Sequence, residues 1–369
     1  MKTTSYDKYT AMKRIVIKIG SNVLTRQDGI LDMTRMSSIV DQVSVLLNNG
    51  YQVILVTSGA VACGRSMLAD RHSAKLDAVQ QRQLYSAVGQ VKLIERYRQL
   101  FSNWGIIIGQ ILTMKENFAT RREYLNQRAC MEVMLANRVV PIVNENDTVS
   151  VTELMFTDND ELSGLVASMM DADTLLILSS IDGIYNGSPK DSSSQVIRKV
   201  MPDDDLGQFI SREKSGFGRG GMITKSSIAR KAADEGIRVI IANGLKNNII
   251  QDIFLNPENV TFTEFVPRKE PISSVKKWIA HSNDFVKGCI RIDIDAVHAL
   301  LGNNAVSLLP VGVTDVEGEF EEGDVIEIFG PGNHKIAVGK SAYSSAEARK
   351  VIGMHDCRPI VHYDYLYII

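Results

Sequence analysis

Residues 138–147 read RVVPIVNEND and join an apolar run to a polar ending. An unbroken apolar run of this length is typical of a strand with both faces covered, as in a parallel sheet. Four polar residues, from Asn144 to Asp147, follow it directly. Ligands of open parallel sheets bind beyond the carboxyl ends of the strands. The stretch therefore predicts a parallel sheet with a binding site along that edge.

The same design recurs along the chain. Further apolar runs that end in small polar or glycine residues are RIVIKIG (14–20), YQVILVTSGA (51–60), IIIGQILT (106–113), DTLLILSSIDG (173–183) and IRVIIANG (237–244). Helical patterns lie between them: one spans 36–47 with Gly50 as its cap, and another spans 221–236 and closes at Gly236. Strands that alternate with helices predict an α/β fold with a parallel sheet covered on both faces.

The pattern changes near residues 265–275, where prolines and charges indicate a linker. Beyond it GCIRIDIDA (288–296) alternates, which places Ile290, Ile292 and Ile294 on one strand face. Short strands with tight turns follow and favour a small β-rich barrel or sandwich. We therefore expect two domains, 13–264 and 273–369, after a loose tail at 1–12.

Composition excludes several classes of protein. The chain has 369 residues, of which 44% are hydrophobic and 23% charged, so wholesale disorder is excluded. A net charge of −2 argues against a general nucleic-acid binder. The four cysteines are scattered without a C-x-x-C pair, which favours free thiols in a reducing compartment. Neither a secretory segment nor an apolar run of membrane-spanning length is present, so we expect a cytoplasmic protein.

Three glycine-containing stretches could bind phosphate or carboxylate groups. They are KIGSN (18–22), TSGA (57–60) and GFGRGGMITK (216–225). Glycines at a helix start let anions approach backbone N–H groups, and Lys18 and Lys225 would add positive charge. Taken singly, the first stretch is compatible with a loop glycine beside a snorkelling lysine, the second with a capped helix, and the third with a linker. The third matches neither a Walker A loop nor a dinucleotide fingerprint.

The polar stretch NEND is echoed by DND at 158–160. Acidic groups near phosphate-binding lysines orient those lysines, hold a substrate ammonium, or hold Mg²⁺ through water. Asx-rich turns are the alternative interpretation. Lysines, glycine turns and carboxylates together favour phosphoryl transfer, which works by positioning and electrostatics without a covalent intermediate.

Five motifs carry a family resemblance. VIKIGSNVLT (16–25), LVTSGAVACG (55–64), VVPIVNENDTV (139–149), DNDELSGLVA (158–167) and GRGGMITK (218–225) resemble, in order and spacing, the glutamate 5-kinases of the amino acid kinase family. The tail from about 273 resembles a PUA domain. The resemblance implies a three-layer αβα sandwich and ATP-dependent phosphorylation of the 5-carboxylate of L-glutamate to L-glutamyl 5-phosphate, the first step of proline biosynthesis.

The resemblance also implies roles for individual residues. Lys18 and Lys225 would stabilise the transferring phosphoryl group, and Asp160 would organise both lysines. The implied substrate-binding residues are Ser58, Gly59, Ala60, Asn144, Asp147, Asp158 and Asn159. The implied nucleotide-binding residues are Lys18, Gly20, Ser179, Ser180, Arg219, Gly220, Gly221, Met222, Ile223, Thr224 and Lys225. Asp147 is expected to meet the α-ammonium of glutamate.

The expected ligands and partners follow from the same resemblance. They are ATP with Mg²⁺, L-glutamate, proline as a feedback inhibitor, glutamyl phosphate reductase as pathway partner, and further copies of the chain in a dimer or tetramer. We predict no protein residue in the first shell of the metal. Ser180, Arg219, Met155 and Thr157 depart from the family's usual residues, and these departures bear on the nucleotide loop and on inhibitor sensitivity.

Two other functions stay open from the sequence. One is another carboxylate kinase of the same family, acting on aspartate or carbamate. The other is RNA binding through the PUA-like tail. Residues 275–369 contain nine Lys and Arg against thirteen Asp and Glu, a sign that disfavours contact with a phosphate backbone.

Overall fold

The computed structural model describes residues 13–26, 28–69, 76–118, 121–149, 158–189, 191, 193–206, 221–269, 279, 286–302, 306–355 and 357–369. Two compact units are present. The first contains the described residues up to Met114 and from Ala129 to Lys269. The second contains Lys115–Arg128 and the described residues beyond 270. The predicted tail at 1–12 and the predicted boundary at 273 lie outside the described residues, so both stay predictions.

An eight-stranded sheet forms the centre of the first unit. Its strands are β1 (Arg14–Ile19), β2 (Gln52–Thr57), β3 (Ile107–Thr113), β4 (Val139–Glu145), β5 (Thr174–Ser179), β6 (Lys199–Val200), β7 (Arg238–Asn243) and β8 (Phe262–Phe265). The strand order is β3-β4-β2-β1-β5-β7-β8-β6. All described pairings are parallel except that of β7 with β8. The predicted, mainly parallel sheet is confirmed.

Helices cover the sheet on both faces. In the first unit they are α1 (Ser21–Leu24), α2 (Met33–Asn48), α3 (Ala60–Met67), α4 (Ala78–Ser102), α6 (Asn159–Met169), α7 (Met222–Asp234) and α8 (Ile249–Leu255); α5 (Arg121–Ala136) runs from one unit into the other. One face of β1 presents Ile15, Ile17 and Ile19 to a core shared with α2, α4 and α8. The opposite face packs against α6, which in turn packs against α7. The predicted αβα layering is confirmed.

Local sequence explains where these helices begin and end. Asp32 caps α2 by accepting a hydrogen bond from the backbone N–H of Arg35, and Gly50 follows the helix with a φ of 83°. Gly236 follows α7 with a φ of 89°. Positive φ is accessible to glycine without a steric penalty, so both predicted helix ends are confirmed.

The second unit contains a five-stranded sheet in the order β10-β9-β11-β12-β13. Its elements are β9 (Gly288–Ile292), α9 (Ile294–Leu301), β10 (Val313–Gly318), β11 (Val325–Phe329), β12 (Lys335–Lys340), α10 (Ser345–Val351) and β13 (Leu366–Ile368). The predicted small β-rich domain is confirmed, but the placement of Ile294 on a strand face was wrong. The strand ends at Ile292 because Asp293 caps α9 through the N–H of Ala296, which leaves Ile294 exposed.

Two further sequence predictions concern the whole chain. All four cysteines, Cys63, Cys130, Cys289 and Cys357, are free, as predicted. None of the helices that the structure describes is both long and apolar enough to cross a membrane.

Candidate active site

The carboxyl ends of the central strands bring the candidate residues to one edge of the large sheet. Strand β1 lies between β2 and β5, so the chain crosses from one side of β1 to the other after β4. This crossing is a topological switch point, the place where ligands of open α/β sheets bind. Lys18 and Asn144 are the next-to-last residues of β1 and β4, and Ser58 directly follows β2.

Two lysines meet one carboxylate at this edge. Lys18 Nζ lies 2.6 Å from Asp160 Oδ1, and Lys225 Nζ lies 2.8 Å from Asp160 Oδ2. The side chain of Asp160 is fully buried, while those of Lys18 and Lys225 are 6% and 12% exposed. We call these three residues the lysine triad. One anion between two cations leaves an excess of positive charge, which suits a phosphate ligand.

The two aspartates at the start of α6 have opposite pKa shifts. Burial by itself would raise the pKa of Asp160, but the charges of Lys18 and Lys225 outweigh it and lower that pKa to about 2. Burial, followed by the charge of Asp160, raises the pKa of Asp158 to about 6. Asp158 caps α6: its Oδ1 accepts hydrogen bonds from the N–H groups of Asp160 and Glu161, at 2.8 and 3.2 Å. Its buried Oδ2 accepts none from the described part of the chain.

Three predicted substrate residues are in contact: Ser58, which follows β2, Asn144 in β4, and Asn159 at the start of α6. The amide nitrogen of Asn159 lies 3.1 Å from Ser58 Oγ and 3.0 Å from Asn144 Oδ1. It also donates to the backbone carbonyl of Thr57 at 2.6 Å. Gly59 begins α3 with a φ of 106°, and buried Ala60 follows it. Stretches that are far apart in sequence therefore form one continuous wall beside the lysine triad.

Asp147 is held by residues that the sequence did not single out. Its Oδ1 accepts from Arg82 Nε at 2.8 Å and also from Nη2 of the same guanidinium, and its Oδ2 accepts from Ser86 Oγ at 3.2 Å. Arg82 Nη2 also donates to Glu145 Oε2 at 3.0 Å. Glu145 and Asp147 are both buried. We call Arg82, Glu145 and Asp147 the arginine triad.

The predicted nucleotide residues that the structure describes lie at three places: after β1, at the end of β5 and at the start of α7. The N–H of Gly20 approaches the carbonyl oxygen of Leu178 at 3.4 Å, and a Cβ on Gly20 would lie 3.5 Å from Lys18 Nζ. Ser179 ends β5, and Ser180 follows it as an exposed residue. Gly221 caps α7, whose first residues are Met222, Ile223, Thr224 and Lys225. Arg219 and Gly220 lie outside the described residues, as do Met155 and Thr157.

A further carboxylate lies beyond β5. Asp182 Oδ2 is 2.8 Å from Lys246 Nζ, and Asp182 Oδ1 accepts a hydrogen bond from Asn243 Nδ2 at 2.9 Å. Partial burial by itself would raise the pKa of Asp182. Its hydrogen bonds with Lys246 and Asn243 outweigh this effect and lower that pKa. The sequence prediction placed Ser180 here and missed Asp182. The signal was present, since Asp182 and Lys246 each follow a strand that runs into the same edge.

No group of three or more His, Cys, Asp or Glu side chains that could hold a metal ion occurs among the described residues. The edge therefore combines two lysines at the lysine triad, amide groups at Asn144 and Asn159, and acidic groups at the arginine triad. Such a set can neutralise a phosphoryl group and bind a small zwitterion.

Comparison with known proteins shows the family of the chain. A sequence model of the amino acid kinase family matches residues 13–243, and a PUA domain model matches residues 288–363. The chain belongs to the amino acid kinase family. A relative from Bacteroides thetaiotaomicron, named glutamate 5-kinase, is 59% identical over 96% of this chain and 98% of its own length. A glutamate 5-kinase from Chlorobaculum tepidum is 43% identical over 98% of this chain and 99% of its own.

Two solved structures of kinases resemble the chain at lower identity. The carbamate kinase from Giardia lamblia bound to AMP-PNP is 15% identical, with a TM-score of 0.52 over 70% of this chain and 99% of its own. An isopentenyl phosphate kinase in a substrate complex is 16% identical, with a TM-score of 0.51 over 69% of this chain and all of its own. At such identities the likeness concerns the fold alone.

Proposed function

We propose that this protein transfers the γ-phosphoryl group of ATP to the side-chain carboxylate of L-glutamate, which gives L-glutamyl 5-phosphate and ADP. The lysine triad carries the proposal, because two ammonium groups converge on one buried carboxylate at the sheet's switch point. The two bacterial relatives support the choice of acceptor through their names, and each aligns over nearly the full length of both chains.

The chemistry needs no general base. A glutamate carboxylate is already ionised near pH 7, so one of its oxygens attacks the γ-phosphorus while the bond to the β,γ-bridging oxygen breaks. Negative charge spreads over the transferring group and the ADP oxygen during this step. Lys18 and Lys225 would stabilise it, and Asp160 would hold both ammonium groups in place before the reaction begins.

The acceptor would lie along the wall formed by Ser58, Asn144 and Asn159. Ser58, Gly59 and Ala60 start α3, where backbone N–H groups favour a carboxylate. Asn144 and Asn159 supply amide groups for the remaining oxygens, and Asp147 would accept hydrogen bonds from the α-ammonium. Each carboxylate oxygen has room for about two hydrogen bonds, so the Asp147 contacts with Arg82 and Ser86 leave capacity for a ligand.

Mg²⁺ is expected to travel with the nucleotide. This ion keeps several waters and is typically held by one or two carboxylates together with substrate phosphates. Asp158 fits that role through water, because its Oδ2 is buried and accepts no hydrogen bond from any described residue. Mg²⁺ would supply further neutralisation of the phosphate oxygens. On the nucleotide side we propose Gly20, Ser179, Ser180 and the start of α7.

Regulation and assembly follow as further proposals. Proline has an α-ammonium and an α-carboxylate, as glutamate does, although its ammonium is secondary; it would compete at the contacts with Asp147. The acyl phosphate product is a substrate for a reductase, the expected pathway partner. The family resemblance supports a dimer or tetramer, and the four free cysteines fit a reducing compartment such as the cytoplasm.

A coupled ADP-release assay with ATP and Mg²⁺ tests the proposal. L-Glutamate, L-aspartate and carbamate serve as alternative acceptors, and hydroxylamine traps any acyl phosphate that forms. We expect glutamate-dependent ADP release together with a glutamyl hydroxamate. A rate with aspartate or carbamate that equals or exceeds the rate with glutamate would overturn the assignment.

A further inference from the structure

Helix α4 presents a polar stripe to the acceptor wall. Arg82, Ser86 and Gln90 are spaced four residues apart, which places them on one face of the helix. Ser86 and Gln90 are buried, so this face does not point to solvent. Each of the three side chains contacts a residue that follows or ends β4.

Two donors of the Arg82 guanidinium contact one oxygen of the Asp147 carboxylate. Arg82 Nε and Nη2 both donate to Asp147 Oδ1, and Nη2 also donates to Glu145 Oε2. A guanidinium is planar and presents its donors in a fixed fork, so it sets the orientation of the carboxylate as well as neutralising charge. Ser86 holds the second oxygen of Asp147 at 3.2 Å.

Gln90 acts on the neighbouring amide. Asn144 Nδ2 donates to Gln90 Oε1 at 2.9 Å, which turns Asn144 Oδ1 toward Asn159. Both Gln90 and Asn144 are buried. The stripe therefore determines which atoms of Asn144 and Asp147 remain available to a ligand.

The backbone of α4 packs directly against α3, the helix that begins beside Ser58. A Cβ on Gly89 would lie 1.8 Å from the carbonyl oxygen of Ala60, and one on Gly64 would lie 1.8 Å from that of Tyr85. Helices α3 and α4 thus touch backbone to backbone, where only glycine fits. Since α3 begins at Gly59 and Ala60, one helix supports both sides of the acceptor wall.

We propose that Arg82 is the positioning residue for the amino-acid head group of the acceptor, assisted by Ser86 and Gln90. The inference rests on the proposed function, because it concerns the α-ammonium that Asp147 would bind. Without Arg82, the buried carboxylates of Glu145 and Asp147 lose the cation between them, and Asp147 loses its fixed orientation. Glutamate binding then weakens, while the lysine triad and the nucleotide contacts stay as they are.

Arg82→Gln, Arg82→Lys and Ser86→Ala test this assignment by steady-state kinetics. We expect Arg82→Gln to raise the glutamate KM by at least about tenfold, since hydrogen bonds to charged groups are among the strongest in proteins. The ATP KM should stay within about twofold. Arg82→Lys keeps the positive charge but loses the planar set of guanidinium donors, so it should raise the glutamate KM less than Arg82→Gln does. Ser86→Ala should produce a smaller rise in the glutamate KM alone.

Arg98→Gln is the matched control on the same helix. Arg98 is 61% exposed and pairs with Glu95 on the surface, so its loss should leave both KM values and kcat near native. If Arg82→Gln is too unstable to assay, the Lys and Ser86 variants decide. Equal rises of the ATP and glutamate KM values, or Arg82 variants that behave like Arg98→Gln, would overturn the inference. Native protein without glutamate-dependent ADP release would instead overturn the proposed function.

Discussion

The lysine triad and the arginine triad lie on the same edge of one sheet and have opposite compositions. In the first, Lys18 and Lys225 flank the single carboxylate of Asp160. In the second, the single guanidinium of Arg82 contacts the carboxylates of Glu145 and Asp147. Each triad contains an ion that holds the other two in place, and each has one charge in excess. The excess is positive in the lysine triad and negative in the arginine triad.

This difference explains how one site can handle a polyphosphate and a zwitterion side by side. Buried charges are tolerated when they are paired. Asp160 pairs with both lysines of the lysine triad, and Arg82 pairs with both carboxylates of the arginine triad. The net charge within each triad has the sign that its proposed ligand requires. The two regions are joined by neighbouring residues of α6, since Asn159 contacts the acceptor wall and Asp160 holds the lysines. We therefore expect substitutions in the two triads to affect different kinetic constants.

Lys18→Ala should have the largest effect. Removal of one preorganised electrostatic group typically lowers kcat by about 10²–10³-fold. The KM values should change far less, because this charge acts mainly as the transferring group develops charge. The check is kcat at saturating ATP and glutamate, with Lys199→Ala as a control because Lys199 lies exposed on β6. A near-native kcat for Lys18→Ala would show that this lysine does not stabilise the transferring phosphoryl group.

Asp160→Asn should come next, and it should also lower stability. Two ammonium groups would lose the anion between them, and removal of one partner of a buried ion pair costs about 3–5 kcal/mol of unfolding free energy. The pKa of Asp160 is lowered from 3.8 to about 2, so the ionised carboxylate stabilises the fold above pH 3.8. That stabilisation is lost as the pH falls toward 2. Denaturant unfolding between pH 7 and pH 2 checks both points, and an Asn variant as stable as native protein at pH 7 would contradict them.

Much of this arrangement was predictable because it depends on local patterns. Apolar runs with polar endings predicted β1, β2, β4 and β5, and the edge at their carboxyl ends followed from the parallel sheet. The arginine triad was not predicted, since Arg82 is 65 residues from Asp147 and an arginine on a helix is usually solvated. A polar stripe at 82, 86 and 90 was the available signal. The prediction that Ile294 lies in a strand was wrong for a local reason. The alternating apolar pattern continues past Asp293, although that aspartate caps the helix that begins at Ile294.

Proline tests the two triads separately, because it has an α-ammonium and an α-carboxylate but no 5-carboxylate to phosphorylate. It should engage the side of the site that contains Asp147 and leave the lysine triad untouched. Glutamate saturation curves at several proline concentrations should show a rising apparent KM and an unchanged kcat. A lowered maximum rate with unchanged half-saturation would place the inhibitor elsewhere.

Asp182→Asn should have the smallest effect. The pair that Asp182 forms with Lys246 is partly exposed, with side chains 25% and 43% accessible, and exposed pairs contribute about 0–1 kcal/mol. We expect the ATP KM to rise by no more than about fivefold, which corresponds to about 1 kcal/mol. The glutamate KM should not change. Asp182 follows the proposed nucleotide residues Ser179 and Ser180 in the chain, and a rise in the glutamate KM instead would contradict a role beside the nucleotide.

The most direct measurement compares Lys225→Ala with Asp147→Asn in one set of kinetic experiments, with kcat and the glutamate KM determined for both. The separation of the two triads predicts opposite outcomes. Lys225→Ala should lose about 10²–10³-fold in kcat at a nearly native glutamate KM. Asp147→Asn should raise that KM by about tenfold or more, equivalent to about 1.4 kcal/mol, and keep most of kcat. If both variants lower kcat and raise the glutamate KM to the same extent, the two triads do not act on separate parts of the reaction.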